Sequence, residues 1–207
     1  MEINVLTGTL LETNNYVIVS EDKAVLIEAS ANLNSVKELV NEKTVVAILL
    51  THGHWDHYIN IEKFAAEFNC PIYMTEEANI KINSKGKAFY ADRNPKVDLS
   101  TYQVCYIKDK DVLTFGSGLE FKVLQTPGHT NCSVCYLLKV GDETILFSGD
   151  TIFNDGIGRT DLPTGSPSEM KESIKKLLLL PDKTVVPSGH GDPTTIEVER
   201  ENLSKQI

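Results

Sequence analysis

No stretch of this 207-residue sequence stays apolar for longer than about one strand, and the opening Met1-Glu2-Ile3-Asn4-Val5-Leu6 puts no basic segment ahead of an apolar run. A helix needs about 20 apolar residues to cross a bilayer. Neither a membrane span nor a secretory leader is therefore expected, and the expected location is the cytoplasm. Basic charge is scarce as well: 20 Lys and Arg face 29 Asp and Glu, for a net charge of −9. That balance opposes a broad phosphate-binding surface, so nucleic acid is excluded as the main partner and a small-molecule substrate is expected. Low-complexity tracts are missing too. Four cysteines, Cys70, Cys105, Cys132 and Cys135, are too thin for a disulfide framework and read as reduced thiols. Cys132 and Cys135 have C-x-x-C spacing, but the surrounding Ser133 to Leu138 reads as a strand, where residues three apart face opposite sides. They read as packing residues.

Histidine is also rare, at five, and none of the five is spent on ordinary surface or core positions. His52, His54 and His57 crowd into Thr51-His52-Gly53-His54-Trp55-Asp56-His57, His129 stands in Thr126-Pro127-Gly128-His129-Thr130, and His190 lies between Gly189 and Gly191. Neutral imidazole is a common ligand for transition metals. A lone His190 or Asp150 reads as a turn residue or a cap. The cluster His52, His54, Asp56 and His57 reverses that reading, because four coordinating side chains within six residues waste hydrogen bonds unless a cation satisfies them.

The apolar fraction of 41% is that of a globular protein with a core of its own. Short strands are expected over Ile3–Leu6, Tyr16–Val19 and Lys23–Ile27, with Glu21-Asp22 as a tight hairpin. Leu33, Val36, Leu39 and Val40 recur at helical spacing, and the β-branched run Thr44 to Leu50 reads as a buried strand. Helices over Ile59–Phe68 and Glu76–Ile82 flank a short strand at Ile72–Met74. The stretch from Ser84 to Lys110 has little periodicity and reads as a long surface excursion or lid. Strands near 112–115, 119–124, 133–140 and 144–147 follow. A helix from Pro167 to about Leu180 is signalled by Ser166 as N-cap, Pro167 at the first helical position and Glu169 three residues after the cap. A strand at 184–186 leads to His190. Strands, then a helix, twice over, predict an α/β sandwich of two related halves.

Four apolar strands each end in a loop bearing candidate ligands: 45–50 before His52, 121–124 before His129, 145–147 before Asp150 and 185–186 before His190. Strand ends of packed sheets converge on one edge, so these loops can bring their side chains to a common point on a rigid support. The donors are imidazole and carboxylate only, which suits zinc, iron or manganese. Seven donors exceed a tetrahedral site's four, so two divalent ions sharing a bridging carboxylate are expected, a known device for hydrolysis. With no thiolate cage, the site reads as catalytic rather than structural. Arg159 follows Asp150 in a glycine-rich loop and is a candidate for holding a substrate carboxylate bidentately, against an internal pair with Asp161 or Asp155. Lys81, Lys85 and Lys87 are candidates for drawing in an anionic substrate, with a solvated loop the better reading.

With Ser148-Gly149-Asp150-Thr151-Ile152-Phe153 and Gly158-Arg159-Thr160-Asp161 added in the same order and spacing, the chain resembles the metallo-β-lactamase superfamily, most closely the short glyoxalase II-like hydrolases. The resemblance spans nearly the whole chain and implies a single domain over 1–207 with a four-layer αββα sandwich and its metals at one edge. It implies that His52, His54 and His129 hold one metal, Asp56, His57 and His190 the second, and that Asp150 bridges. It implies thioester hydrolysis of the hydroxyacylglutathione type, with zinc as the expected metal and Asp56 orienting the attacking hydroxide. A persulfide dioxygenase with one iron on His52, His129 and Asp150 shares the scaffold, as do lactonases and β-lactamases. Two departures stand out. Glu28 occupies a position where the superfamily usually has Asp, and full-length glyoxalase II enzymes carry a C-terminal helical domain that helps bind glutathione, whereas this chain ends soon after Thr194 to Ile196.

Overall fold

In a computed structural model that describes residues 1–8, 10–83 and 97–203, the chain forms two six-stranded sheets, a two-stranded ribbon and six helices. The first sheet runs in the order β1 (Glu2–Thr7), β2 (Asn14–Ser20), β3 (Lys23–Ile27), β4 (Thr44–Leu49), β5 (Ile72–Met74) and β6 (Val104–Tyr106). Its first three strands are antiparallel and the rest parallel. The parallel crossovers are made by α1 (Leu33–Val40), by α2 (Trp55–Tyr58) with α3 (Ile61–Phe68), and by the segment that includes α4 (Glu76–Asn83). The second sheet contains β7 (Val112–Thr114), β8 (Glu120–Gln125), β9 (Val134–Val140), β10 (Glu143–Phe147), β13 (Val185–Val186) and β14 (Thr194–Thr195). The ribbon pairs β11 (Ile152–Phe153) with β12 (Gly156–Ile157), and the helices α5 (Pro167–Leu177) and α6 (Ile196–Leu203) complete the second half.

Side-chain alternation makes the layers. In β2, Tyr16 and Ile18 face the second sheet while Val17 faces the helices; in β9, Val134, Tyr136 and Leu138 face the first sheet while Cys135 faces outward. Three apolar clusters result. One packs α1, α3 and α4 on the first sheet, a second fills the space between the sheets, and a third packs α5 and α6 on the second sheet through Met170, Ile174, Leu177, Ile196 and Leu203. Helices on both outer faces of two stacked sheets are the αββα sandwich expected from the sequence. Val46 is an extra residue in β4 opposite the Ala24–Val25 step of β3, and this bulge lets Val46 and Ala47 both pack on the core between the sheets.

The cap expected at α5 is present: Ser166 Oγ accepts from the Glu169 backbone N–H at 3.3 Å. The reading of 84–110 as one surface excursion needs correction. Residues 84–96 lie outside the described residues, but Val104–Tyr106 adds a parallel edge strand to β5, and Leu99 is buried against the first sheet. A three-residue strand carries too little periodicity to be read locally. The cysteines are unpaired, and Cys132 and Cys135 fall in different clusters, on opposite sides of the second sheet. Among the described residues no helix is long and apolar enough to cross a membrane.

Candidate metal centre

The seven expected donors meet at one edge of the sandwich. His52 follows β4, His129 follows β8, Asp150 follows β10 and His190 follows β13, while His54 leads into the single turn of α2, which presents Asp56 and His57. All but His54 and His190 are buried.

Their coordinating atoms fall into two sets. In the first, His54 Nδ1 stands 3.0 Å from His52 Nε2 and 2.9 Å from His129 Nε2, and Asp150 Oδ2 is 3.4 Å from His129 Nε2 and 4.0 Å from His52 Nε2. In the second, His57 Nε2 lies 3.6 Å from Asp56 Oδ2 and 3.4 Å from Asp150 Oδ1. His190 Nε2 lies 3.5 Å from Asp56 Oδ2 and 3.6 Å from Asp150 Oδ2. Donors held at about 2.0–2.2 Å from a tetrahedral ion are separated by about 3.3–3.6 Å, so both sets are close to the spacing of a first-row divalent cation. Asp150 Oδ2 faces both. Buried Asp150 Oδ1 and both ring nitrogens of His57 have no hydrogen-bond partner, which leaves Asp150 Oδ1 and His57 Nε2, turned toward one another, open to a metal.

The outer nitrogens set the tautomers. His129 Nδ1 is 2.8 Å from the Arg159 carbonyl and His190 Nδ1 is 2.8 Å from the Leu11 carbonyl, so each donates its proton there and turns a bare Nε2 inward. His57 Nδ1 faces Glu28 Oε1 at 3.2 Å. Thr51 Oγ1 donates to the same Glu28 oxygen and stands 3.0 Å from His52 Nδ1. Glu28, buried and held at a φ of 67°, therefore supports a ligand in each set, one directly and one through Thr51. Gly189 must lack a side chain, because a Cβ there would collide with Asp150 Oδ1.

Electrostatics separate the two sets. Burial holds the imidazoles of the first set neutral: His52 falls well below its usual range, His54 to about 3 with the Lys81 charge adding to the effect, and His129 is lowered. In the second set burial also disfavours charge on the imidazoles, but the carboxylates outweigh it. Asp150, Glu28 and Asp56 raise His57 well above its usual range, and hydrogen bonds to Asp150 and Asp56 take His190 to about 9. Burial works to raise the two aspartates, yet the neighbouring His57 charge and the His190 hydrogen bond hold Asp56 at about 2 and Asp150 well below the carboxylate range. Protons thus balance the carboxylates where a cation would.

Thr13, which no local signal marked, donates from Oγ1 to Asp56 Oδ2 at 3.0 Å. Its neighbour Asn14 donates from Nδ2 to the Ser188 and Gly191 carbonyls at 3.1 and 2.8 Å, fixing the His190 loop. Arg159 makes two hydrogen bonds to Asp161, at 2.8 and 2.7 Å, on an exposed face. A substrate carboxylate would have to take the place of Asp161 on that guanidinium. A cleft of about 530 Å³ opens beside the second set, lined by Phe153, Asn154, His190, Gly191 and Asp192.

Open, thiolate-free donor sets on rigid strand ends are the arrangement of a metal-dependent enzyme rather than of a structural metal. Residues 8–190 match the profile of the metallo-β-lactamase superfamily, and the chain belongs to it as a metal-dependent hydrolase. It is 33% identical over 200 residues to the probable metallo-hydrolase YqgX of Bacillus subtilis, covering 92% of this chain and 90% of that one. It is 29% identical over 208 residues to the hydroxyacylglutathione hydrolase GloC of Haemophilus influenzae, covering 97% and 95%. The crystal structure of TTHA1623 in a di-iron-bound form superposes with a TM-score of 0.80 at 28% identity, covering 96% of this chain and 98% of that one.

Proposed function

We propose that this protein is a thioesterase of the glyoxalase II type, a single domain over 1–207 acting on small-molecule thioesters such as hydroxyacylglutathiones. The observation that carries the reading is the pair of donor sets meeting at Asp150 Oδ2. The similarity to GloC supports the substrate class. His52, His54, His129 and Asp150 would hold one divalent ion, Asp56, His57, His190 and Asp150 a second, with zinc as the proposed metal. When bound, such a pair supplies a hydroxide at neutral pH and a Lewis acid for the carbonyl. The chain supplies the rest. Asp56, fixed by the Thr13 hydroxyl, orients the attacking water and is placed to accept a proton. The leaving thiolate is a good group already, so no acid need be aimed at it. The cleft beside Phe153 gives the substrate room on the His190 side.

Metal content after purification without added metal, combined with turnover of S-lactoylglutathione and simpler thioesters, tests this. Two metal ions per chain with thioester hydrolysis are expected, and Asp56→Ala should lower kcat by at least about 100-fold. One iron per chain with oxygen uptake on a persulfide, or an Asp56→Ala variant with wild-type activity, overturns the reading.

A further inference from the structure

The helix α6 carries a carboxyl group on its apolar face. Ile196, Glu199 and Leu203 are spaced three and four apart, so they share the side of α6 that packs on the second sheet, and Glu199 there is 0% exposed. A buried polar group is costly unless it is hydrogen-bonded. Glu199 Oε1 accepts twice, from the Thr194 hydroxyl at 2.7 Å and from the Asp155 backbone N–H at 3.1 Å, 44 positions away in the chain. Its Oε2 has no hydrogen-bond partner among the described residues.

The bond to Asp155 reaches the substrate cleft. Phe153 pairs with Gly156, which leaves Asn154 and Asp155 as the two-residue turn of the β11–β12 ribbon, with Asp155 held at a φ of 63°. Strands of two residues do not hold a hairpin together unaided. The base of the ribbon is secured where Ser148 Oγ donates to the Ile152 carbonyl at 2.8 Å and the Gly158 N–H to the Thr151 carbonyl at 3.3 Å. The turn is secured by Glu199. Because Thr194 is itself paired with Val186, one carboxyl oxygen ties the turn to a strand of the second sheet.

That turn carries a wall of the cleft. Phe153 and Asn154 line it together with His190, and the Phe153 and His190 ring centroids are 6.2 Å apart. An apolar residue at 199 would match Ile196 and Leu203 but would take the acceptor away from the Asp155 N–H.

We propose that Glu199 is a positioning residue for the substrate cleft: it fixes the Asn154-Asp155 turn from behind and so sets where Phe153 and Asn154 stand beside His190. This rests on the thioesterase reading for its substrate. Both partners of Glu199 lie outside the set of metal donors, so metal binding is independent of it.

The test uses the zinc-loaded protein with S-lactoylglutathione and simpler thioesters. Glu199→Leu removes the acceptor and should raise KM about fivefold or more, the fold-change of one ordinary hydrogen bond, with kcat within about twofold of wild type and two zinc ions retained. Glu199→Gln keeps an acceptor oxygen and should restore most of KM. Phe153→Ala should raise KM in the wild type yet add little in Glu199→Leu, because residues that act through one element are not additive. Hydrogen exchange gives a reading that needs no turnover. The Asp155 amide of the wild type should exchange at least about tenfold more slowly than an unprotected amide, and that protection should vanish in Glu199→Leu. A Glu199→Leu variant that melts lower but keeps its KM, loss of its zinc, a Glu199→Gln variant as impaired as Glu199→Leu, additive KM effects, or an unprotected Asp155 amide in the wild type overturns the proposal. If Glu199→Leu does not fold, exchange at Asp155 decides: protection in both the wild type and Glu199→Gln supports the proposal, and its absence in either overturns it. If the wild type hydrolyses none of the thioesters, the thioesterase reading falls and the same exchange measurement decides on Glu199.

Discussion

Glu28→Gln tests whether one carboxylate supports both donor sets. Glu28 is 2% exposed, and its Oε1 receives the Thr51 hydroxyl and faces His57 Nδ1 at 3.2 Å, while Oε2 has no hydrogen-bond partner. The substitution keeps the shape and the acceptor oxygen but removes the charge. The contact with His57 then drops from a buried ion pair to the weaker attraction of a neutral amide oxygen. The amide nitrogen lands where Oε2 found no partner, and a buried donor left unsatisfied costs a further 1–3 kcal/mol or so. Removing an outer partner of a ligating histidine weakens metal binding about 10- to 100-fold. The second set should suffer more, because His57 meets Glu28 directly whereas His52 meets it through Thr51. Competition with a chromogenic chelator resolves the two binding steps, and thermal unfolding with and without chelator separates loss of metal from loss of fold. Glu28→Asp keeps the charge but withdraws it by one methylene, so it should weaken the same step if reach matters as much as charge. A Glu28→Gln variant that binds both metals within twofold of wild type and melts at the same temperature would refute this account.

In the chelated protein, His190 is raised from 6.5 to about 9 by hydrogen bonds to Asp150 and Asp56 that outweigh burial, so its contribution is fully present below pH 6.5 and lost as pH rises through about 9. It amounts to about 3 kcal/mol at most, and melting temperatures in chelator that stay flat over that interval would count against it. Metal binding near neutral pH should release protons chiefly from the second set, where His57 and His190 are raised, so lowering the pH should weaken that step more than binding at the first set. Calorimetry in buffers of different ionisation enthalpy measures the release, and equal pH dependence of the two steps would contradict it. Gly189→Ala should displace Asp150 and cost at least about tenfold in metal affinity, seen as metal lost on dialysis; retention of both ions at the wild-type melting temperature would show that the collision is relieved elsewhere.

The cluster was legible in the sequence because five of its seven members are all the histidines of the chain, each in a segment that soon follows an apolar strand, and strand and loop are local features. The supports were not. Thr13 meets Asp56 across 43 positions and Asn14 meets Ser188 across 174, and nothing near either residue marks the contact. The one-turn α2 was hidden inside the ligand motif, and β6, β11, β12 and β14 are too short to show a period.

The partition of the donors carries a structural consequence. The first set draws His52 and His54 from one half and His129 and Asp150 from the other, and the second draws Asp56 and His57 from one and Asp150 and His190 from the other. The core between the sheets is largely apolar, and its directional cross-links, Tyr16 to the Ser188 carbonyl and Tyr136 to the Leu50 carbonyl, lie near the ligand-bearing strand ends. At that edge the halves are joined by directional contacts: the bridge of Thr13 to His190, the Asn14 hydrogen bonds and the donors themselves. Cations bound there would therefore act as staples between halves as well as reagents. Their removal should loosen the loops around His57 and His190 before it disturbs the inter-sheet core, because only the edge loses contacts that the core cannot replace.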